Sequence, residues 1–135
     1  MNEDDLKRIE AVLGRSLPEA FRKVMLNFPQ ELIDAATMTD PYGNEFRDAM
    51  MISPDADAII AGIESREWDW PENLIVVGED GCGETFSVDI SEEKCPVYMS
   101  GPHTGMAEFP SQEGYFEQVG GDLEGWVRHL VNQVD

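Results

Sequence analysis

The chain has 135 residues, 41% of them hydrophobic, and 28 acidic against 9 basic residues give it a net charge of −19. This length predicts one domain whose core needs neither disulfides nor a metal to hold together. The strong negative charge argues against direct binding to nucleic acid or an anionic membrane, and it favours either a basic protein partner or a purely solubilising surface.

The amino-terminal segment predicts an α-helix. Leu6, Ile9 and Leu13 recur at the spacing of one helical face, and three acidic residues stand at the amino end, where the helix dipole favours negative charge. Gly14 is expected to end this helix, because glycine readily adopts the left-handed conformation of a helix carboxyl cap.

A second helix is expected directly afterwards. Ser16 and Glu19 match a capping box, Pro18 suits a first helical turn, and Pro29 marks the end. Four apolar residues between these signals form one stripe at positions i, i+3, i+4 and i+7: Phe21, Val24, Met25 and Phe28. The two helices are predicted to pack together as a pair.

Residues 30–53 give the weakest pattern in the chain. Residues 40–44 form a cluster typical of a turn, and residues 46–52 are a candidate strand. Ser53-Pro54-Asp55 predicts the start of a third helix, with Ser53 as the cap and proline at the first position. Isoleucines at positions 59, 60 and 63 supply the apolar side of this helix.

Residues 68–90 contain the best-defined pattern. A continuously apolar strand at residues 74–78 leads into a turn with Gly81 and Gly83, and an alternating strand follows up to residue 90. Phe86, Val88 and Ile90 fall on one face of that strand and are expected to face the core. The pattern predicts an antiparallel hairpin.

The rest of the chain predicts one more strand and a closing helix. A strand is expected at residues 96–99, where Pro96 at the start indicates a sheet edge, and residues 101–121 are predicted to be loop. Asp122 is expected to cap a last helix with a nearly continuous apolar stripe. Helices, an antiparallel meander and a closing helix together predict the α+β class.

Several motifs in this chain occur in one recognisable order. An amino-terminal helix precedes Leu17-Pro18, and Trp70-Pro71 stands just before the apolar strand. The glycine turn at residues 80–84, the strand end at 88–90 and Pro96-Val97-Tyr98 follow, and a helix closes the chain. This order resembles the SUKH superfamily, whose members include bacterial immunity proteins and a fungal regulator of cell-wall synthesis.

The resemblance covers nearly the whole chain and implies a single SUKH-like domain over residues 1–135. It further implies a non-catalytic protein-binding domain that acts without a cofactor. In bacteria such domains are commonly immunity proteins, which bind and neutralise a polymorphic toxin. A basic nuclease is one candidate toxin, because an acidic protein suits the basic surface that such an enzyme presents to nucleic acid.

The candidate partner-binding residues lie around the predicted hairpin. Ten acids and a single base occur between positions 64 and 93, which predicts either an acidic patch for a basic partner or an ordinary solvated surface. An aromatic residue beside such a patch is a candidate interface anchor. The residues that we expect to contact a partner are Glu72, Glu79, Asp80, Glu84, Trp68 and His103.

Other site chemistries match the sequence poorly. Residues 80–84 lack the ligand spacing of an EF-hand and the lysine of a phosphate-binding loop, and the two cysteines and two histidines lack zinc-site spacing. We therefore expect no metal and no cofactor.

The amino end shows no signal-peptide pattern, so a cytoplasmic location is expected. A toxin-neutralising protein leads, with a scaffold or regulatory domain of the same fold and a carboxylate-based hydrolase as alternatives.

Overall fold

Five helices and two antiparallel sheets make up the described part of the chain, which confirms the predicted α+β class with a closing helix. The computed structural model describes residues 1–66, 68, 70–101 and 116–134. The elements in chain order are α1 (Glu3–Leu13), α2 (Glu19–Leu26), α3 (Gln30–Ala36), β1 (Thr37–Thr39), β2 (Glu45–Arg47), α4 (Ala56–Glu64), β3 (Leu74–Glu79), β4 (Thr85–Asp89), β5 (Val97–Ser100), β6 (Phe116–Gly120) and α5 (Leu123–Val134).

The larger sheet is an antiparallel meander in the order β3-β4-β5-β6. The predicted hairpin between β3 and β4 is confirmed, but the edge assignment of β5 is wrong because β6 pairs with its other side. The predicted loop at 101–121 is therefore also wrong over β6. Pro96 is tolerated beside a central strand because it contributes only a carbonyl, which accepts the Asp89 N–H at 3.0 Å.

The core lies between one face of this sheet and the helices. Phe86, Val88 and Ile90 are buried as predicted, and Trp126 of α5 stacks on Phe86 with ring centroids 5.9 Å apart. The buried hydrophobic side chains of the described elements form one cluster, to which α1, α2, α4 and α5 contribute. The other face of β4 is buried as well, because Ser87 and Asp89 are 0% and 8% exposed.

The first helix follows the sequence prediction, whereas the start of the second does not. Gly14 ends α1 with a φ of 72°. The predicted capping box at the start of α2 is wrong, since Pro18 occupies the cap position and its side chain has no oxygen to accept a helix N–H. Glu10 of α1 accepts the N–H of Leu17, the residue before this cap, at 2.7 Å, which ties the connection between the two helices to α1.

The third predicted helix also begins later than expected, and a further short helix precedes it. Helix α3, which the sequence did not predict, starts directly after Pro29 and fully buries only one residue, Leu32. Asp55, not Ser53, caps α4 by accepting the N–H groups of Asp57 and Ala58. Ser53 precedes this cap by two residues, and its N–H donates to the Val77 carbonyl of β3 at 2.8 Å.

Candidate protein-binding surface

The turn between β3 and β4 is organised by the side chain of Asp80. Its Oδ1 accepts the backbone N–H groups of Cys82 at 2.8 Å and Glu84 at 3.2 Å. Gly81 and Gly83 adopt φ values of 83° and 97°, which glycine reaches without strain. The Asp80 carboxylate thus stabilises the turn, and its negative charge lies at the end of the sheet.

The chain that follows β2 runs along the end of β3 and adjoins this turn. The Glu79 N–H donates to the Met50 carbonyl at 2.8 Å. A Cβ atom added to Gly81 would lie only 3.3 Å from the Cβ of Ala49, so the two segments are in direct contact. Acids from two distant parts of the sequence therefore meet here: Asp48 from one segment, Glu79 and Asp80 from the other. We call these three residues the glycine-turn surface.

A groove of about 350 Å³ opens beside the glycine-turn surface. Its lining includes apolar side chains of α4 and β3, among them Ile59 and Val76. Three carboxylates line it as well, those of Asp48, Asp55 and Glu79, with Arg47 as the basic residue in its wall. An apolar floor with acidic walls suits the aliphatic stem and cationic end of a lysine or arginine side chain.

The ion pairs of the described residues leave this end of the molecule uncompensated. Every contact within 4.0 Å between a lysine or arginine and a carboxylate lies on α1, α2, α4 or α5. Arg22, for example, pairs with Glu10 at 3.2 Å, and Lys23 pairs with Glu124 at 3.5 Å. Within the described ranges no such pair reaches Asp48, Glu79 or Asp80, so the negative charge there faces solvent.

The structure divides the sequence-predicted contact residues between two ends of the sheet. Glu79 ends β3 and Asp80 follows it, whereas Glu72 precedes β3 together with Trp68, which is 95% exposed. The intervening strand of six residues spans about 16 Å. The acid-rich run at 64–93 is therefore not one continuous patch, and only its Glu79–Asp80 part adjoins the groove.

Glu84, another predicted contact residue, is enclosed within the turn. Glu84 is only 3% exposed, and a Cβ atom on Gly101 would lie 2.6 Å from its Oε2. The Glu84 carboxylate thus packs inside the turn, because the close approach of Gly101 encloses it. It is not part of the glycine-turn surface. His103 lies outside the described residues.

The sequence reasoning missed the small sheet formed by β1 and β2. Met38 and Phe46 are directly opposed in it, and both are about half exposed. Residues 37–39 and 45–47 each place one apolar residue between two polar ones around the recognised turn cluster. That alternation was the available signal for a hairpin, but each strand is too short for it to stand out.

The described residues show no arrangement suited to a metal or to membrane insertion. Within them, no group of three or more His, Cys, Asp or Glu side chains has metal-binding geometry. Their longest helix, α5, has 12 residues, and none is both long and apolar enough to cross a bilayer. Both thiols are free, with Cys82 exposed and Cys95 buried.

Comparison with known proteins supports the architecture at the level of the family. No curated protein and no solved structure matches the chain. A family model does match, over residues 1–128, which is nearly the whole sequence. Helices α1 to α4, both sheets and the glycine turn fall within that match, which ends inside the closing helix α5. The chain belongs to the SMI1 / KNR4 family (SUKH-1).

Proposed function

We propose that this chain is an immunity-type protein of the cytoplasm that binds and neutralises a bacterial toxin domain by occlusion, without catalysis. The observation that carries the proposal is the glycine-turn surface: uncompensated acids beside an acidic groove in a member of a family of binding domains. Such a surface attracts a basic partner and repels nucleic acid. The proposed toxin is accordingly basic, with a nuclease domain as the best-fitting class.

Occlusion is the mode of action that suits these groups. A nuclease must present cations to the phosphates of its substrate, and these cations are the complement of Asp48, Glu79 and Asp80. Carboxylates seated on them would exclude nucleic acid sterically and electrostatically. No bond is made or broken in this process, so the proposal requires neither a cofactor nor a catalytic residue.

Co-expression tests the proposal directly. The toxin domain would be the carboxyl-terminal part of a large secreted protein encoded beside this chain, expressed in a bacterial host that it kills. Wild-type chain is expected to restore growth and to bind a catalytically inactivated form of the toxin. Growth arrest despite normal levels of the folded chain would reject the immunity function.

Charge variants determine which end of the sheet binds the toxin. Glu79→Lys combined with Asp80→Asn changes the charge by +3 while keeping an oxygen acceptor for the turn amides, and we expect it to abolish rescue. Glu93→Lys combined with Glu64→Gln changes the charge equally at exposed positions away from the glycine turn. This control should rescue normally; equal loss in both variants would point to net charge instead of the glycine-turn surface.

A second candidate function is a scaffold or regulatory domain of the same fold that binds a host protein. The exposed Trp68, with Glu72 at the same end of β3, favours it, because an exposed tryptophan is an efficient interface anchor. Under the immunity proposal Trp68→Ala leaves rescue intact. Absence of any rescue by wild type, together with host-protein binding that Trp68→Ala removes, would favour the regulatory role.

A further inference from the structure

The β1–β2 hairpin is a two-stranded projection that carries exposed apolar side chains. Met38 and Phe46 form a directly opposed cross-strand pair on one face and are 46% and 51% exposed. Tyr42, in the turn that joins the strands, is 89% exposed. Isolated apolar residues on a surface need no explanation, but three on one short ribbon form a patch.

The turn that carries Tyr42 is fixed by Asp40. One carboxylate oxygen of Asp40 accepts the backbone N–H groups of Tyr42 and Asn44, both at 2.9 Å. The Asp40 N–H donates to the Asn44 carbonyl at 2.9 Å, and Gly43 adopts a φ of 84°. A turn held in this way loses little conformational freedom when its aromatic side chain is buried by a partner.

The hairpin continues into the glycine-turn surface. The Asp48 N–H, directly after β2, donates to the Ala36 carbonyl at 2.8 Å, which fixes the base of the hairpin. The next residue, Ala49, is the one that contacts Gly81 of the glycine turn. The apolar projection and the uncompensated acids therefore form one surface.

The charges around the hairpin identify what can cover it. Residues 34–48 contain four acids and one base. A second copy of the chain, itself at −19, would set like charges against each other around the apolar contact, and an anionic membrane would do the same. An apolar cleft bordered by lysine or arginine residues would instead match both the centre and the rim of this surface.

We propose that the β1–β2 hairpin inserts Tyr42 and Phe46 into an apolar cleft of the basic toxin domain. These two side chains anchor the complex, and the acids of the glycine-turn surface surround them. This inference rests on the proposed function and names the contact within it. The aromatic side chains supply the buried centre of the interface, where most binding energy resides. The acids supply the rim, which steers association.

The test measures binding of the catalytically inactivated toxin domain from the rescue experiment to purified full-length variants. Tyr42→Ala with Phe46→Ala should weaken binding about 30-fold or more, the effect of removing an interface hot spot. Val12→Ala removes a comparably exposed apolar side chain from α1 and should change the dissociation constant less than about twofold. Unfolding midpoints of all variants establish that the fold is intact.

The outcomes distinguish a failure of the proposed hairpin contact from a failure of the proposed immunity function. Wild-type binding and rescue with full affinity in the Tyr42/Phe46 variant would overturn the hairpin contact while the immunity function stands. Absence of both rescue and binding by wild type would overturn the two together. Sedimentation that shows a wild-type dimer, dissociated by Phe46→Ala, would assign the hairpin to a second copy and would also overturn the inference.

Discussion

Cys95 illustrates how the fold controls a single side chain. It is fully buried just before β5, has a φ of 52°, and donates its N–H to the Glu92 carbonyl at 3.1 Å. Burial raises the pKa of its thiol from 9.0 to about 11, because the thiolate would lose its hydration. The neutral thiol is thus the form that the folded core accepts, whereas Cys82 in the exposed turn remains open to reagents.

This pKa shift predicts a loss of stability at alkaline pH. Because the folded-state pKa is raised, the stabilisation is fully present below the unfolded-state pKa near 9 and is lost as the pH rises through about 11. Between pH 7.5 and pH 10 the thiol should account for about 1 kcal/mol of lost unfolding free energy. Urea unfolding at both pH values should show a smaller loss for Cys95→Ala than for wild type; equal losses would contradict the prediction.

Asp89 shows why single acids were hard to assign from the sequence. Strand alternation placed it on the polar face, away from the core, but it is only 8% exposed. Burial alone would raise the pKa of its carboxyl group, yet hydrogen bonds from Ser91 and Asn73 outweigh that effect and lower the pKa. Ser91 supplies both its N–H at 2.9 Å and its hydroxyl at 2.6 Å. This compensation for burial depends on the geometry of the turn after β4, which cannot be predicted from the alternation of residues along a strand.

At the scale of elements, the sequence predicted those elements whose signals lie within a few residues, but it did not predict the pairing of distant segments. Helix α1 and the β3–β4 hairpin carry their periodicity and their end signals within a few residues, so the sequence was sufficient. Strand β6 was missed because it follows a stretch rich in glycine and proline, which indicates a loop, and none of its residues is fully buried. The predicted strand at residues 46–52 is wrong beyond Arg47, where β2 ends. The segment that follows is joined to β3 by backbone hydrogen bonds but forms no strand of the sheet.

Gly78 lies where the segment after β2 crosses β3. The register between β3 and β4 shifts between Val76 and Gly78, and Gly78 lies under the backbone of the crossing segment. A Cβ atom on Gly78 would lie 2.3 Å from the Met50 carbonyl oxygen and 2.4 Å from the Met51 carbonyl carbon. Because these are backbone atoms, a larger residue can be accommodated only if the segment moves away.

Two glycine-to-alanine substitutions test this interpretation. Gly78→Ala should lower the free energy of unfolding by about 2 kcal/mol, the effect of forcing a methyl group into a closely packed site. Gly62→Ala in α4 is the control, since its Cβ would meet only the Val76 Cβ at 3.9 Å. It should raise stability by about 0.5–1 kcal/mol through helix propensity. Similar effects in both variants, measured by urea unfolding, would contradict the close crossing.

At the scale of the whole molecule, the negative charge is large and unevenly compensated. Among the described residues, five acids pair with lysine or arginine, all of them on the helices. The whole chain has 28 acids and 9 bases. The sequence revealed this excess but not its position, because Asp48 meets Glu79 only through the contact of segments some 30 residues apart. The charged face is thus a product of the tertiary fold.

Folding and binding should respond to salt with opposite signs. Salt screens the mutual repulsion of the acids, which is stronger in the compact state, so 300 mM NaCl should raise the free energy of unfolding above its value in 20 mM NaCl. We expect about 1 kcal/mol, the size of one or two exposed charge pairs. The same screening should slow association with a basic toxin domain.

The variant with Glu79→Lys and Asp80→Asn serves as the control for this salt effect. It removes two negative charges from the uncompensated end and adds one positive charge, so it should respond less to salt in both measurements. Urea unfolding and stopped-flow association at the two salt concentrations provide the readouts. A fall in stability with salt would mean that the helix ion pairs outweigh the repulsion. A salt-independent association rate would mean that the glycine-turn acids do not steer the partner, which would remove the electrostatic basis of the proposed occlusion.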